Sequence, residues 1–225
     1  MASYKQLIET AFLPVGKTMY IYGGGWNEED NGSGEDGMRL GISKKWVDYF
    51  MKQDKDYDYT KTRYLLGMGL DCSGYIGWLV YNLFPNKNGY VKKACTMAEY
   101  LSSLGFGTYT EKENVKDHII GDIMSGSGHV YMVLGSCSDG SIVIVHSSPN
   151  GVQVNGTVDI SGNKKSKAAA IAEKYMKKNH PIWYERYDKY YRGEEYLKEY
   201  SSMRWTVLSD SENYREKSIE EILGI

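Results

Sequence analysis

The chain has 225 residues, 41% of them hydrophobic, and a formal net charge of -2; this suits one domain with elaborations and a sizeable core. With so little charge and no basic stripe, there is no electrostatic basis for binding nucleic acid. A mean hydropathy of -0.51, with no apolar run near the roughly 20 residues of a spanning helix, predicts no membrane span.

In chain order, Ser3 caps a predicted helix over residues 3–12, with Leu7, Ile8 and Phe12 on one side. Tyr20-Ile21-Tyr22 then leads into a tight backbone passage at Gly23-Gly24-Gly25. Residues 27–37 hold five acids among glycines and read as a solvated loop; their spacing does not match an EF-hand. An amphipathic helix is predicted over residues 43–53, followed by a charged, tyrosine-rich link. A third helix starts at Asp71-Cys72-Ser73-Gly74 and buries a face built from Tyr75, Ile76, Trp78, Leu79, Val80, Leu83 and Phe84. Residues 96–104 read as a short helix, and Gly121-Asp122-Ile123-Met124 as the start of a strand.

The runs His129 to Leu134 and Ile142 to Ser147 are apolar and β-branched, and read as a hairpin around residues 135–140. Gly151 to Val154 continues as strand, residues 164–178 as helix, and residues 204–208 as a last strand. Ser209 with Glu212 resembles a capping box for a terminal helix. Tyrosine is the outlier, with 21 copies; its apolar body and polar tip suit sheet faces as well as sugar or peptide surfaces.

The three cysteines, Cys72, Cys95 and Cys137, have neither metal-ligand spacing nor a disulfide framework. No metal and no cofactor are expected. Cys72 differs from the others because Asp71 is a good N-cap. That places the thiol in a first helical turn, where unpaired N–H groups favour thiolate, the nucleophilic form.

His129 and His146 are equidistant from a point between Cys137 and Ser138. A turn centred there sets them opposite one another on one face of the sheet, and a one-residue slip separates them. Acyl transfer by cysteine needs a thiolate, an imidazole and a group that fixes the imidazole tautomer. Cys72, His129 and His146 are therefore the expected catalytic set. His118 and His180 have no such context and read as surface or structural.

Several segments, in order, resemble one family. Asp71-Cys72-Ser73-Gly74-Tyr75-Ile76 resembles the nucleophile motif of the NlpC-type cell-wall cysteine peptidases, a papain-like group. Gly121-Asp122-Ile123 resembles its Gly-Asp step, and Gly128-His129-Val130-Tyr131-Met132-Val133-Leu134-Gly135 its histidine strand. Val145-His146-Ser147-Ser148, with Gly151-Val152, resembles the elements after it. Tyr20-Ile21-Tyr22-Gly23-Gly24 is similar to its Tyr-x-x-Gly-Gly approach.

The resemblance implies an α+β, papain-like fold: a helical part carrying the nucleophile, packed on an antiparallel β-sheet. It implies one peptidase domain over residues 1–225, with an insertion at about 26–69 and a helical extension after about 160. The implied activity is hydrolysis of peptidoglycan stem peptides, commonly at the bond between γ-D-glutamate and a diamino acid. Cys72 would be nucleophile, His129 base and acid, and His146 the orienting residue. Tyr20 would help bind the oxyanion, while Asp71 and Ser73 would hold a free substrate amine.

Tyr131 and Met132 depart from the family's Gly-Ile, and the insertion would form a lid or wall over the cleft. Alternatives are a muramoyl-L-alanine amidase, another papain-like acyl hydrolase or transferase, and a non-catalytic cell-wall binding module. The partner is a peptidoglycan or muropeptide substrate. No secretory signal is visible, which leaves a wall location, with a signal already removed or by another export route, or cytoplasmic muropeptide processing.

Overall fold

The computed structural model describes residues 2–187 and 189–225. The helices are α1 (Tyr4–Phe12), α2 (Lys44–Lys52), α3 (Cys72–Leu83), α4 (Met97–Ser103), α5 (Lys167–Asn179), α6 (Pro181–Arg186), α7 (Glu195–Lys198) and α8 (Ile219–Leu223). The strands are β1 (Gly107–Thr110), β2 (Ile123–Ser125), β3 (Val130–Ser136), β4 (Ile142–Ser148), β5 (Gly151–Thr157), β6 (Tyr191–Arg192) and β7 (Ser201–Trp205). They form one sheet in the order β1-β7-β2-β3-β4-β5-β6, antiparallel except for the β5–β6 pair. The protein is therefore α+β.

Strand alternation gives the sheet two apolar faces. Val130, Met132, Val143, Val145, Val152 and Val154 join the main core with α1, α3 and α5. Tyr131, Val133, Ile142 and Ile144 face the other way and form a smaller cluster with Met124 and Tyr200, covered partly by Tyr196 and Leu197 of α7. His146, Gln153 and Asn155 follow the parity of this second face.

At the heart of the main core, α3 is buried from Cys72 through Val80. A helix apolar nearly all round must sit inside, and Pro85 stops it, since a residue before proline leaves helical geometry.

Where the expected elements differ, tertiary contacts explain the difference. Ser209 does not cap a helix; it pairs with the N-terminus, its N–H donating to Ala2 O at 3.0 Å. The terminal helix begins ten residues later, capped by Ser218 with Glu221. The stretch after residue 160 is not purely helical. Its β7 lies inside the sheet between β1 and β2, starting three residues before the expected strand. Arg204 of β7 grips buried Asp122 through Nε at 2.9 Å and Nη2 at 2.8 Å, which gives the Gly121-Asp122 step a structural task.

The two ends of the 26–69 segment are stitched together. Leu70 N–H donates to Met19 O at 3.2 Å, and Asp71 N–H to Gly24 O at 3.0 Å. The intervening residues thus leave the start of α3 beside the glycine passage. They pack against α3, with Trp46 edge-on to Trp78 at 6.1 Å and its Nε1 donating to buried Asp36.

Candidate active site

Asp71 has β geometry and caps α3, its Oδ1 accepting from Gly74 N–H at 2.6 Å and Ser73 Oγ at 2.9 Å. Its Oδ2 accepts from Gly23 N–H and Trp26 Nε1, both at 3.1 Å. The carboxylate therefore pins the glycine passage to the helix start. Both glycine partners are needed: a Cβ on Gly74 would lie 1.9 Å from Gly24 O, and Gly25 has φ +98 with Gly74 Cα 2.6 Å from where its Cβ would be. From the sheet side, Ser147 Oγ donates to Leu70 O at 2.6 Å. The nucleophile's helix is thus held from both sides.

Cys72 is 6% exposed and lines a cleft of about 290 Å³ with Tyr20, Asp71, Ser73, Trp26 and Gly128. Its sulfur is approached by the backbone N–H groups of Val130, Ser73 and Cys72 itself. Val130 opens β3, directly after His129.

His129 Nε2 and His146 Nδ1 are 2.7 Å apart. The expected register is corrected: Met132 pairs with Val145, and one further step sets Tyr131, not His129, level with His146. The turn closes around Asp139, with Cys137 N–H donating to Ser141 O at 2.8 Å, and a bulge follows Val133. The offset from the expected pairing is two residues. An even offset keeps both side chains on one face, so the rings meet diagonally.

His146 is fully buried, and its Nε2 lies 2.7 Å from Asn155 Oδ1. Asn155 Nδ2 donates to Val154 O at 3.1 Å and Lys189 O at 3.2 Å, so its oxygen must face the ring. This fixes the proton order. His146 Nε2–H donates to Asn155, His129 Nε2–H donates to His146 Nδ1, and His129 Nδ1 is left bare as a base.

Tyr196 closes the cluster, its ring 5.7 Å from that of His129 and 6.1 Å from that of His146. The Cys72 sulfur acts electrostatically on both Tyr196 and Tyr200. Among the described residues, however, it makes no hydrogen bond to either imidazole.

Electrostatics set the resting protonation state. Burial, and then the Asp71 carboxylate, push the Cys72 thiol up to about 12, outweighing the N–H groups around it. Burial also lifts Asp71 to about 6 against its four hydrogen bonds. His129 is pushed down to about 3 by burial first and Arg192 second, and His146 falls well below its usual range for the same reasons. The helix end was expected to favour thiolate; burial reverses that balance. The resting pair is a neutral thiol and a neutral imidazole, so the proton must move as the nucleophile attacks.

Tyr20, half-buried, lines the cleft, and its hydroxyl has no partner among the described residues. Tyr59 packs edge-on to it at 5.4 Å, and Tyr57 donates to its carbonyl at 2.5 Å. Asp71 is different: its acceptor positions are taken by the protein, and Ser73 Oγ is engaged by Asp71 and by Trp26 Nε1 at 3.3 Å. An amine-binding role would require some of these bonds to be given up.

Sequence reading missed Asn155, Arg192 and Tyr196. Asn155 could have been found, because its odd-numbered place in an alternating strand puts an amide on the face of His146. Among the described residues no group of three or more His, Cys, Asp or Glu could hold a metal ion, and no helix is long and apolar enough to cross a membrane.

No protein-family model, curated protein or solved structure matches the chain.

Proposed function

We propose that this protein is an NlpC-type cysteine endopeptidase of papain-like fold that hydrolyses amide bonds in peptidoglycan stem peptides. The observation that carries the reading is the relay from His129 through His146 to Asn155, ordered so that His129 Nδ1 is bare, in the residue directly before Val130, whose N–H approaches the sulfur of the helix-start cysteine. Burying imidazoles, amides and a guanidinium together costs stability relative to an apolar core, and such clusters are characteristic of chemical sites.

In the proposed reaction, His129 Nδ1 takes the Cys72 thiol proton as sulfur adds to the amide carbonyl. The oxyanion is met by backbone N–H groups at the start of α3 and by the Tyr20 hydroxyl. On collapse the C–N bond breaks and His129 returns the proton to the leaving amine. Water then hydrolyses the thioester, with His129 again as base. His146 and Asn155 hold the tautomer throughout.

The resemblance points to the bond between γ-D-glutamate and a diamino acid. Mass analysis of digested peptidoglycan tests this: new amino termini on the diamino acid are expected. Opening at the muramoyl–L-alanine bond would make the protein an amidase instead. Cys72→Ala should lose turnover by at least about 10³-fold while keeping its fold; cleavage at the wild-type rate would refute the mechanism.

A further inference from the structure

Arg192 belongs to the segment after residue 160, yet its guanidinium reaches under the histidine relay. Its Nε lies 3.3 Å from His146 Nε2, and its Nη2 is 2.7 Å from Ser148 Oγ and 3.4 Å from Gln153 Oε1. Gln153 is held in turn, its Nε2 donating to Ser148 Oγ at 2.8 Å and Gly151 O at 3.0 Å. No carboxylate among the described residues forms an ion pair with Arg192. A half-buried cation outside any ion pair costs stability, so its place against the far edge of His146 needs a reason.

His146 Nε2 has two neighbours of opposite kind. Asn155 Oδ1, at 2.7 Å, accepts; Arg192 Nε–H, at 3.3 Å, donates. Only one can be satisfied at a time. If Asn155 is satisfied, the ring protons lie as derived above and His129 Nδ1 is bare. If Arg192 is satisfied, His146 must carry its proton on Nδ1 and donate to His129. His129 then carries its own proton on Nδ1 and has no base for a thiol. The shorter Asn155 contact, with its amide orientation locked, selects the first order.

The guanidinium then matters as a charge. Once His129 has taken the thiol proton it is an imidazolium, and its Nε2–H points at His146 Nδ1. Passing that proton on would put a full positive charge on His146, directly against Arg192.

We propose that Arg192 is a positioning residue that keeps the proton taken from Cys72 on His129, next to the leaving amine, by barring its onward transfer to His146. This role rests on the proposed cysteine-peptidase reading. The groups facing His146 are His129 just before β3, Arg192 of β6, uncharged Asn155 and Gln153 of β5, and Tyr196 of α7. Glu195, Tyr196 and Tyr200 act on Arg192. Of these, Arg192 is the permanent charge beside the ring, and it depresses both histidines.

The test pairs kinetics with ring-nitrogen NMR. In Arg192→Gln the acidic limb of the kcat/KM profile should rise by about one pH unit, because a like charge has been removed. Arg192→Lys should keep the limb near that of the wild type. An unmoved limb in folded Arg192→Gln, or a lysine variant that behaves like the glutamine one, would overturn the proposal. Histidine ¹⁵N shifts of the unmodified protein need no substrate and should place the His146 proton on Nε2; a proton on Nδ1 would overturn it. If muropeptides are not cleaved at all, the peptidase reading fails, while ¹⁵N titration of His146 in wild type and Arg192→Gln still decides the role of Arg192: its midpoint should rise in the variant, and an unmoved midpoint would overturn the proposal. If Arg192→Gln does not fold, the same His146 titration is read in Arg192→Met, with the same rise expected and the same unmoved midpoint overturning the proposal.

Discussion

Asn155 shows how a single amide directs the chemistry of a ring it does not share with substrate. Its oxygen is locked by two backbone carbonyls on its nitrogen, and that choice passes through His146 to the far side of His129. Asn155→Ala should lower kcat by about 10- to 100-fold with a small change in KM, the loss of one hydrogen bond of about 1.5–3 kcal/mol; steady-state kinetics on a muropeptide would check it. The same burial has a consequence for stability. His129 and His146 have depressed values in the fold, so below about 6.5 the unfolded chain binds more protons than the native one. Their contribution is fully present above that pH and is lost as pH falls toward the folded values. Urea unfolding midpoints should therefore decline between about pH 6.5 and pH 4, and His146→Gln should flatten that decline.

The helix α3 and the hairpin of β3 and β4 were legible in the sequence because local signals agreed with the fold. Asp71 caps, the apolar residues recur at helical spacing, and β-branched runs flank a turn. Register was less legible. The bulge after Val133 and a turn closing around Asp139 shifted the pairing by two residues, and neither carries a strong local signature. The candidate site survived the shift because parity, not exact pairing, decides which face a side chain joins. The glycine passage belongs to the same scale: Gly24, Gly25 and Gly74 are sequence-distant parts of one backbone contact. Gly74→Ala should cost roughly 3 kcal/mol, read from chemical denaturation, since the new methyl meets a carbonyl rather than a movable side chain.

At the scale of the whole molecule, the part hardest to read was the region after residue 180. Its tyrosines, charges and short elements have no periodicity of their own, and their meaning comes from distant partners. Arg192 and Tyr196 complete the histidine cluster, and β7 fills the gap between β1 and β2. Arg204 compensates a carboxylate, Asp122, that is otherwise buried. Arg204→Met should destabilise by about 3 kcal/mol, because it strands that charge. A thermal melt would check it, and Arg204→Met combined with Asp122→Leu should recover much of the loss.

The central claim is that Cys72 becomes covalently acylated through His129. Mixing the protein with a muropeptide, quenching in acid and weighing the intact chain tests it most directly. The expected spectrum contains an adduct equal to the acyl half of the substrate, on the peptide bearing Cys72 and absent from Cys72→Ala. Turnover by wild type with no adduct at any quench time, accompanied by equal turnover in Cys72→Ala, would contradict the account.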